Sequence, residues 1–285
     1  MGISTVTGLD STGATKTLIA AENTSGHLAA ATVIVDEDGN SIEGGEYITQ
    51  LGERLAMGVT TTGEDLWPGN DLASAPTSHT TVPTPSASGE QMEWLSESAN
   101  DTIAGTGIQK VKLEVLRVSG ARRTIELDTN GTTPVALPDT DVIFINDMYS
   151  SQVGSNNVAA GHGFVRNVAT PGLVYDMIAA GGNRSLVPHY MVPVGLKLKL
   201  EHWDASEGQG KRVSVRIRAD CTPGGVRQAG VFLFKGVAYL NKSTQPTEMF
   251  DTIPAFSIVK VSGWPDAGAS GSDCATVWSG RLISA

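Results

Sequence analysis

The sequence contains few cysteines and no long apolar run. Only Cys221 and Cys274 occur among its 285 residues, too few for a disulfide framework and without the spacing of metal ligands. We expect both to be buried, unpaired thiols. No apolar run reaches the ~18 residues of a transmembrane helix, and the first residues lack the basic and apolar regions of a secretory signal. The sequence therefore indicates a soluble protein that is made in the cytoplasm and has no membrane partner.

Basic residues are scarce in the first third of the chain. Residues 1–90 hold 12 acidic side chains and only Lys16 and Arg54, a net charge of −10, whereas residues 91–285 hold 18 acidic and 18 basic side chains. This disfavours nucleic-acid binding, because neutralising phosphates requires Lys and Arg. An arm that docks on a basic protein surface and a solvated segment that only aids solubility both stay open. The change in charge divides the chain into an acidic N-terminal arm, residues 1–90, and a second domain, residues 91–285.

The arm contains one candidate hairpin. Residues 30–36 have the pattern of a strand, and the turn-forming residues 36–40 lead into a second candidate strand, residues 41–49. Asp36, Glu37 and Asp38 in the turn could bind calcium, but they lack the spaced ligands and the closing Glu of an EF-hand. We therefore predict a hairpin and no metal site.

Apolar residues are also scarce from Thr60 to Gly89, where Thr, Ser, Pro, Ala and Gly dominate. Such a composition offers little burial to offset the entropy of ordering, so we expect an extended strap that lies over a surface. Leu66 and Trp67 are the exceptions. They could anchor the strap in the groove of a neighbouring molecule or cap the core of their own chain, and both alternatives stay open.

Long amphipathic helices are missing as well. Residues 110–118 alternate between polar and apolar side chains, as a strand with one buried face must. Residues 173–180 could form a short helix, but a strand is the better prediction, and Asn130-Gly131 predicts a tight turn. The candidate strands are residues 110–118, 123–127, 142–149, 163–168, 195–203, 212–219, 231–240, 255–261 and 276–283. This spacing predicts an all-β fold, an antiparallel β-sandwich of the jelly-roll kind with one shared core and an extended N-terminal arm.

Basic side chains recur on the polar faces of two of these strands. Lys197 and Lys199 lie on one, and Arg212, Arg216 and Arg218 lie on the other. Joined by residues 204–210, the two strands could pair as a hairpin and merge their basic rows. Such a patch could meet an acidic surface or be a solvated sheet face. Nucleic acid is disfavoured because no aromatic side chains interleave with these charges and the pI is about 4.9.

No local motif predicts catalysis. The chain has no nucleophile elbow, P-loop or dinucleotide fingerprint. Asp139, Asp141 and Asp147 could serve a glycosidase, which needs two carboxylates a set distance apart, but we expect them to be surface turn acids. None of the five histidines forms a local metal motif with another: His27, His79, His162, His189 and His202. We therefore predict no catalytic, cofactor-binding or metal-binding residue and no cofactor.

The most distinctive stretch is a polar segment that leads into a strand, residues 93–118. Asn100-Asp101 and Gly105-Thr106-Gly107 are suited to a tight polar loop, because Asn and Asp bond their own backbone and glycine tolerates unusual φ. Trp94 is expected to plug one end of the sandwich. A phosphate-binding loop is the alternative for residues 105–107, but a strand rather than a helix follows, which removes the helix dipole that such loops use.

Residues 94–193 resemble a segment of virion structural proteins of tailed bacteriophages. The resemblance is carried by residues 94–111, by residues 124–133 after a strand and a polar gap, and by similar order in residues 142–146, 153–155 and 187–193. It covers about half of the chain's second domain and implies no catalytic residue.

The resemblance implies a component of a phage particle, located in the virion and made in the host cytoplasm. The preferred form is a capsid decoration, or cement, protein. It would bind the major capsid protein and neighbouring copies of itself as a symmetric oligomer, expected to be a trimer at threefold points, with the arm spread across subunits. A tail, adaptor or fibre subunit is the alternative within the particle. From another class, a carbohydrate-binding sandwich would use Trp203, Trp264 or Trp278 as exposed sugar platforms.

Overall fold

The secondary structure of the described residues is antiparallel β-structure, with no helix among them. The computed structural model describes residues 3–9, 15–21, 34–35, 41–42, 45–68, 81–241, 244–249 and 251–285. The strands in chain order are β1 (Ile3–Leu9), β2 (Thr15–Ala21), β3 (Ile34–Val35), β4 (Ser41–Ile42), β5 (Glu46–Met57), β6 (Glu64–Asp65), β7 (Met92–Ser96), β8 (Ile108–Arg117), β9 (Arg122–Asp128), β10 (Val135–Ala136), β11 (Val142–Val153), β12 (Gly163–Asn167), β13 (Val174–Ile178), β14 (Tyr190–Met191), β15 (Leu196–Glu207), β16 (Arg212–Ala219), β17 (Leu233–Asn241), β18 (Thr244–Glu248), β19 (Thr252–Ile253), β20 (Ile258–Pro265) and β21 (Ser272–Ser284).

The contacts divide the chain into two compact units, Met1–Glu46 and Tyr47–Ala285. In the smaller unit, β1 pairs with β2 and β3 pairs with β4, both antiparallel. The predicted hairpin is confirmed where β3 meets β4, and the pairing of β1 with β2 was not predicted. Asp36, Glu37 and Asp38 lie outside the described residues, so the prediction that they form no calcium site stays a prediction.

The larger unit begins with a pair of sheets that share one core. One sheet has the strand order β10-β7-β12-β13, and the other has the order β11-β8-β9. Their alternating apolar side chains meet in one buried cluster that includes Trp94, Leu113, Val115, Ile145 and Tyr175. We call these two sheets the first sheet pair.

A second sheet pair follows, built mainly from the C-terminal strands. One sheet has the order β14-β20-β16-β17 with β6 also on β20, and the other has the order β18-β15-β21-β5 with β19 also on β15. Their shared core includes Leu66, Trp203, Ile217, Val261 and Trp278. A smaller cluster, with Phe144 of β11 and Ile258 of β20, joins the two sheet pairs.

The all-β, antiparallel, sandwich-like fold is thus confirmed, and the jelly-roll order stays a prediction. The single shared core is replaced by two main cores. All nine candidate strands exist, residues 173–180 contain the strand β13, and Gly131 has the positive φ of 59° expected of its turn.

The predicted hairpin of residues 195–219 is wrong. β15 pairs with β18, β19 and β21, whereas β16 pairs with β17 and β20 in the other sheet. Both edges of each strand are occupied by these other partners. Since β15 and β16 lie in different sheets, the loop after β15 carries the chain from one sheet to the other. Lys197 and Lys199 therefore do not share a surface row with Arg212, Arg216 and Arg218.

The unit boundary at Tyr47 also differs from the charge boundary at residue 90. The strand β5 lies beside β21, β6 lies beside β20, and Leu66 and Trp67 are fully buried. Of the two alternatives for Leu66 and Trp67, the structure shows the second, in which they fill the core of their own chain. The middle of the predicted strap, residues 69–80, lies outside the described residues.

Candidate functional site

Asp101 organises the polar loop between β7 and β8. Its side chain is fully buried. One carboxylate oxygen, Oδ1, accepts hydrogen bonds from the backbone N–H of Ile108 at 2.7 Å and of Ala160 at 2.9 Å. The other, Oδ2, accepts from Ser96 Oγ at 2.6 Å and from the backbone N–H of Gly161 at 2.9 Å. Two of these four hydrogen bonds tie the loop between β7 and β8 to the connection between β11 and β12, which contains Ala160 and Gly161.

The glycines of this loop are explained by close packing. A Cβ on Gly107 would lie 2.0 Å from Asp101 Oδ1, and a Cβ on Gly105 would lie 2.0 Å from the carbonyl oxygen of Asn100. Neither position has room for a side chain. The predicted tight polar loop is therefore confirmed, and strand β8 follows it directly, but neither glycine has the positive φ that would explain it by conformation. Trp94 is fully buried in the core of the first sheet pair.

A second polar centre forms around Asp65, whose side chain is 2% exposed. Its Oδ1 accepts hydrogen bonds from Arg218 Nη2 at 3.1 Å and Ser262 Oγ at 2.5 Å. Its Oδ2 accepts from Lys260 Nζ at 2.9 Å and from the backbone N–H of Val82 at 3.1 Å. Burial lowers the pKa of Arg218, and Asp65 opposes this by stabilising the charged guanidinium. The carboxylate therefore neutralises two cations and also holds the far end of the strap.

Aromatic rings lie among the basic side chains of β16. The guanidinium of Arg216 lies 4.2 Å from the ring centre of Trp264 and 4.6 Å from that of Phe234. That of Arg218 also lies over Trp264, at 5.0 Å, and Lys260 Nζ lies 4.3 Å from the ring centre of Phe232. The expectation that no aromatic side chains interleave with these charges is wrong, because the rings come from the neighbouring strands β17 and β20 and from the residue before β17.

These side chains lie on the outward side of the sheet. Along β16, Val213, Val215 and Ile217 face the core, so the alternate residues face away from it. Phe234 is 54% exposed and Tyr239 is 77% exposed. We call this surface the cation–aromatic face: Arg212, Arg216, Arg218, Phe232, Phe234, Tyr239, Lys260 and Trp264.

A small cavity lies beside this face, next to His189. Burial lowers the pKa of His189 to about 3, so its ring is neutral near neutral pH. Its Nε2 has no hydrogen-bond partner among the described residues. The cavity, which Phe232 and Lys260 also line, encloses about 10 Å³. That volume fits one water molecule, not an organic substrate.

The carboxylates considered for glycosidase chemistry are each paired with arginine. Asp139 lies 2.5 Å from Arg123 and 3.7 Å from Arg117, which also lies 2.8 Å from Asp141. Asp139 is buried, contrary to the expectation of a surface acid. Asp147, which lies within β11 rather than in a turn, is 2.9 Å from an arginine further along the chain.

The remaining candidate residues do not converge on a site. His162 Nδ1 accepts a hydrogen bond from a backbone N–H, and His202 lies 2.9 Å from Asp204. His27 and His79 lie outside the described residues. Within the described ranges, no group of three His, Cys, Asp or Glu side chains is placed to hold a metal ion.

The cysteines and tryptophans belong mainly to the cores. Cys221 and Cys274 are buried and unpaired, as expected, and burial raises the pKa of Cys274 to about 12. Trp203 and Trp278 are fully buried in the core of the second sheet pair, so neither offers a sugar platform. Trp264 is half-buried beneath the guanidiniums of the cation–aromatic face.

Comparison with known proteins adds no relative. No protein-family model matches the chain, and no curated protein has a similar sequence. The part of the chain that the structure describes contains no helix able to cross a membrane.

Proposed function

We propose that this protein is a structural subunit of a tailed-phage particle, and specifically a capsid decoration protein. One observation carries the proposal: residues 94–193, which resemble a segment of virion proteins, nearly coincide with the first sheet pair, and only β14 among their strands lies in the second sheet pair. They run from β7 to β14 and supply nearly all of the first sheet pair. The motif residues within them, Asp101 and Gly107, fix a loop by packing and hydrogen bonds. This is the role of a scaffold element.

The second support is an exposed apolar surface on the other sheet pair. Phe234 and Tyr239 on β17 are each more than half exposed, and Val226 and Val231 in the preceding loop are 64% and 53% exposed. Exposed apolar side chains such as these four can contribute to protein–protein contacts. A protein that acts by contact with its neighbours has a use for such a surface.

The proposed mechanism is thermodynamic linkage. A subunit that binds the assembled shell, but not free capsid protein, lowers the free energy of the assembled state. Repeated copies around a symmetry axis would multiply the effect, because each contributes its own contact area. In this proposal, the partners are the major capsid protein and neighbouring copies of the chain.

Sedimentation with purified particle parts tests this function. The full chain is mixed separately with empty shells, isolated tails and soluble capsid protein. We expect the chain to bind and pellet with the shells, but not to bind isolated tails or soluble capsid protein. We also expect it to raise the temperature at which the shells dissociate. Electron microscopy of the mixture then locates it on the outer shell surface. Binding to tails instead of shells, or specific binding to a polysaccharide with no binding to shells, would contradict the proposal.

A further inference from the structure

Two arginines of the cation–aromatic face have no carboxylate partner among the described residues. Arg218 and Lys260 on the same face are neutralised by Asp65, but Arg212 and Arg216 form no ion pair with any described residue. The face therefore carries an excess of positive charge in a protein whose net charge is −10.

The contacts of the Arg216 guanidinium make it suited to bind an anion. Its guanidinium lies close to Trp264 and Phe234, and its Nε donates to Ser214 Oγ at 3.1 Å. These contacts restrict the position of the guanidinium, and its terminal nitrogens donate to no described residue. A planar guanidinium fixed in this way is suited to a carboxylate, which it can bind through two parallel hydrogen bonds.

The same chain supplies a complementary acidic segment. The smaller unit, residues 1–46, contains 7 acidic side chains against Lys16 alone, a net charge of −6. Three successive carboxylates, Asp36, Glu37 and Asp38, lie in sequence between β3 and β4. These two strands pair, and we call the segment from β3 to β4, residues 34–42, the acidic hairpin.

We propose that the acidic hairpin of one copy docks on the cation–aromatic face of a second copy, an inference that rests on the proposed function as a multi-copy subunit. The carboxylates of residues 36–38 pair with Arg212 and Arg216, and the exposed rings of Phe234 and Tyr239 flank them. Each copy then donates one hairpin and receives one, which is the head-to-tail arrangement that closes rings around a symmetry axis. Nucleic acid is the less suitable occupant, because the two arginines without an ion-pair partner among the described residues are few for the many phosphate contacts that nucleic-acid binding uses.

Charge reversal on the full chain tests the face, with mass measured by light scattering in the absence of shells. We expect the wild type to form an oligomer and Arg212→Glu with Arg216→Glu to weaken its association by at least about tenfold. The matched control is Lys197→Glu with Lys199→Glu, the same charge change on β15 of the other sheet, which should leave the oligomer intact. Circular dichroism checks that each variant is folded, and Arg216→Gln provides a milder variant.

Mixing two variants tests the partner. Asp36→Lys with Glu37→Lys and Asp38→Lys should also fail to associate alone, yet should form a mixed complex with the Arg212→Glu, Arg216→Glu protein. That protein keeps the hairpin and the triple variant keeps the face. A monomeric wild type, face and hairpin variants that associate like the wild type, or two variants that do not associate when mixed would each overturn the inference. So would binding of single-stranded DNA that Arg216→Glu abolishes, because it would assign the face to nucleic acid.

Shell binding is measured separately by sedimentation. Loss of self-association with shell binding retained overturns only the docking of the hairpin. Self-association that persists while shells are not bound overturns only the decoration function.

Discussion

Asp101 and Asp65 are both almost fully buried carboxylates with four hydrogen-bond donors each, but their donors differ in kind. Asp101 accepts only from neutral groups: three backbone N–H groups and the hydroxyl of Ser96. Asp65 accepts from the cations Arg218 and Lys260 as well as from neutral donors. The first carboxylate replaces missing backbone partners in a loop, whereas the second neutralises charge between strands.

This difference separates a scaffold from a contact surface. The loop around Asp101 uses both oxygens of this carboxylate for hydrogen bonds within the first sheet pair. The region around Asp65 neutralises two cations, whereas Arg212 and Arg216 on the same face have no ion-pair partner among the residues that the structure describes. In our proposal, the Asp101 loop fixes part of the fold of the first sheet pair, and the cation–aromatic face of the second sheet pair makes the contacts with other copies.

The largest effect is expected from Asp101→Ala. The substitution leaves three backbone N–H groups and one hydroxyl buried without an acceptor, each costing about 1–3 kcal/mol. Because water can enter the space partly, we expect a total loss of about 4–5 kcal/mol in the free energy of unfolding, measured by urea denaturation. Asp128→Ala is the control: its side chain is 66% exposed in a surface pair with Lys110, and its removal should cost less than about 1 kcal/mol. Equal effects of the two substitutions would show that the loop does not depend on Asp101.

The next largest effect is expected from Asp65→Ala. It leaves Arg218 and Lys260 partly buried without a counter-charge, and breaking such a pair costs about 3–4 kcal/mol. Replacing the whole group, Asp65→Leu with Arg218→Met and Lys260→Met, should recover most of that loss, because an apolar cluster of similar volume needs no counter-charge. No such rescue exists for Asp101, whose donors are mostly backbone groups. If the triple variant unfolds as easily as Asp65→Ala, the contrast between the two centres is wrong.

The same contrast explains how much the sequence could predict. The Asp101 loop was predictable because its glycines and the acid lie within a few residues of one another. Strand β16 was also predictable, since its observed bounds are those that the alternation of its side chains predicts. The interleaved rings were missed because Phe234 and Trp264 are brought to Arg216 only by the pairing of β16 with β17 and β20. Alternation within a strand says which face a residue occupies, but not which strand lies beside it.

Leu66 and Trp67 show a second limit of local composition. The surrounding residues have the composition of a solvated strap, yet the two-residue strand β6 pairs with β20 and brings Leu66 into the core. Two large apolar side chains suffice to anchor a polar segment when they are buried in the core beneath a sheet. The charge boundary at residue 90 therefore does not coincide with the contact boundary at Tyr47.

A smaller effect is expected from Gly107→Ala, which changes the Asp101 loop without removing the carboxylate. The added Cβ would lie 2.0 Å from Asp101 Oδ1 and 2.8 Å from the Cβ of Ala160, so the loop must shift. Overpacking of this kind costs about 2–3 kcal/mol. Gly224→Ala is the matched control, since its nearest neighbour would be 3.8 Å away, and its effect should stay within about 0.5 kcal/mol. Thermal denaturation of the two variants in parallel makes the measurement, and similar melting temperatures would contradict the packing argument.

The smallest effect, and the one that depends on pH, is expected from Glu90→Gln. Glu90 resembles Asp101 in accepting only from neutral donors: the backbone N–H of Ser86, the amide of Asn167 and the hydroxyl of Tyr175. Burial raises the pKa of Glu90, but the three hydrogen bonds together lower it by more. The folded pKa therefore lies below the ordinary value of 4.5. The ionised carboxylate therefore stabilises the fold above pH 4.5, and this contribution is lost as the pH falls through the folded pKa.

At about pH 7, Glu90→Gln should cost about 1–2 kcal/mol, because the amide can accept fewer of these hydrogen bonds. The difference from the wild type should shrink as the pH falls below 4.5, since the protonated glutamate then resembles the glutamine. Urea denaturation of both proteins across this range isolates the contribution of Glu90, because buried acids with raised pKa values, such as Asp176, are present in both. A difference that stays constant on acidification would mean that Glu90 is not held as a carboxylate, and that the neutral-donor arrangement belongs to Asp101 rather than to both acids.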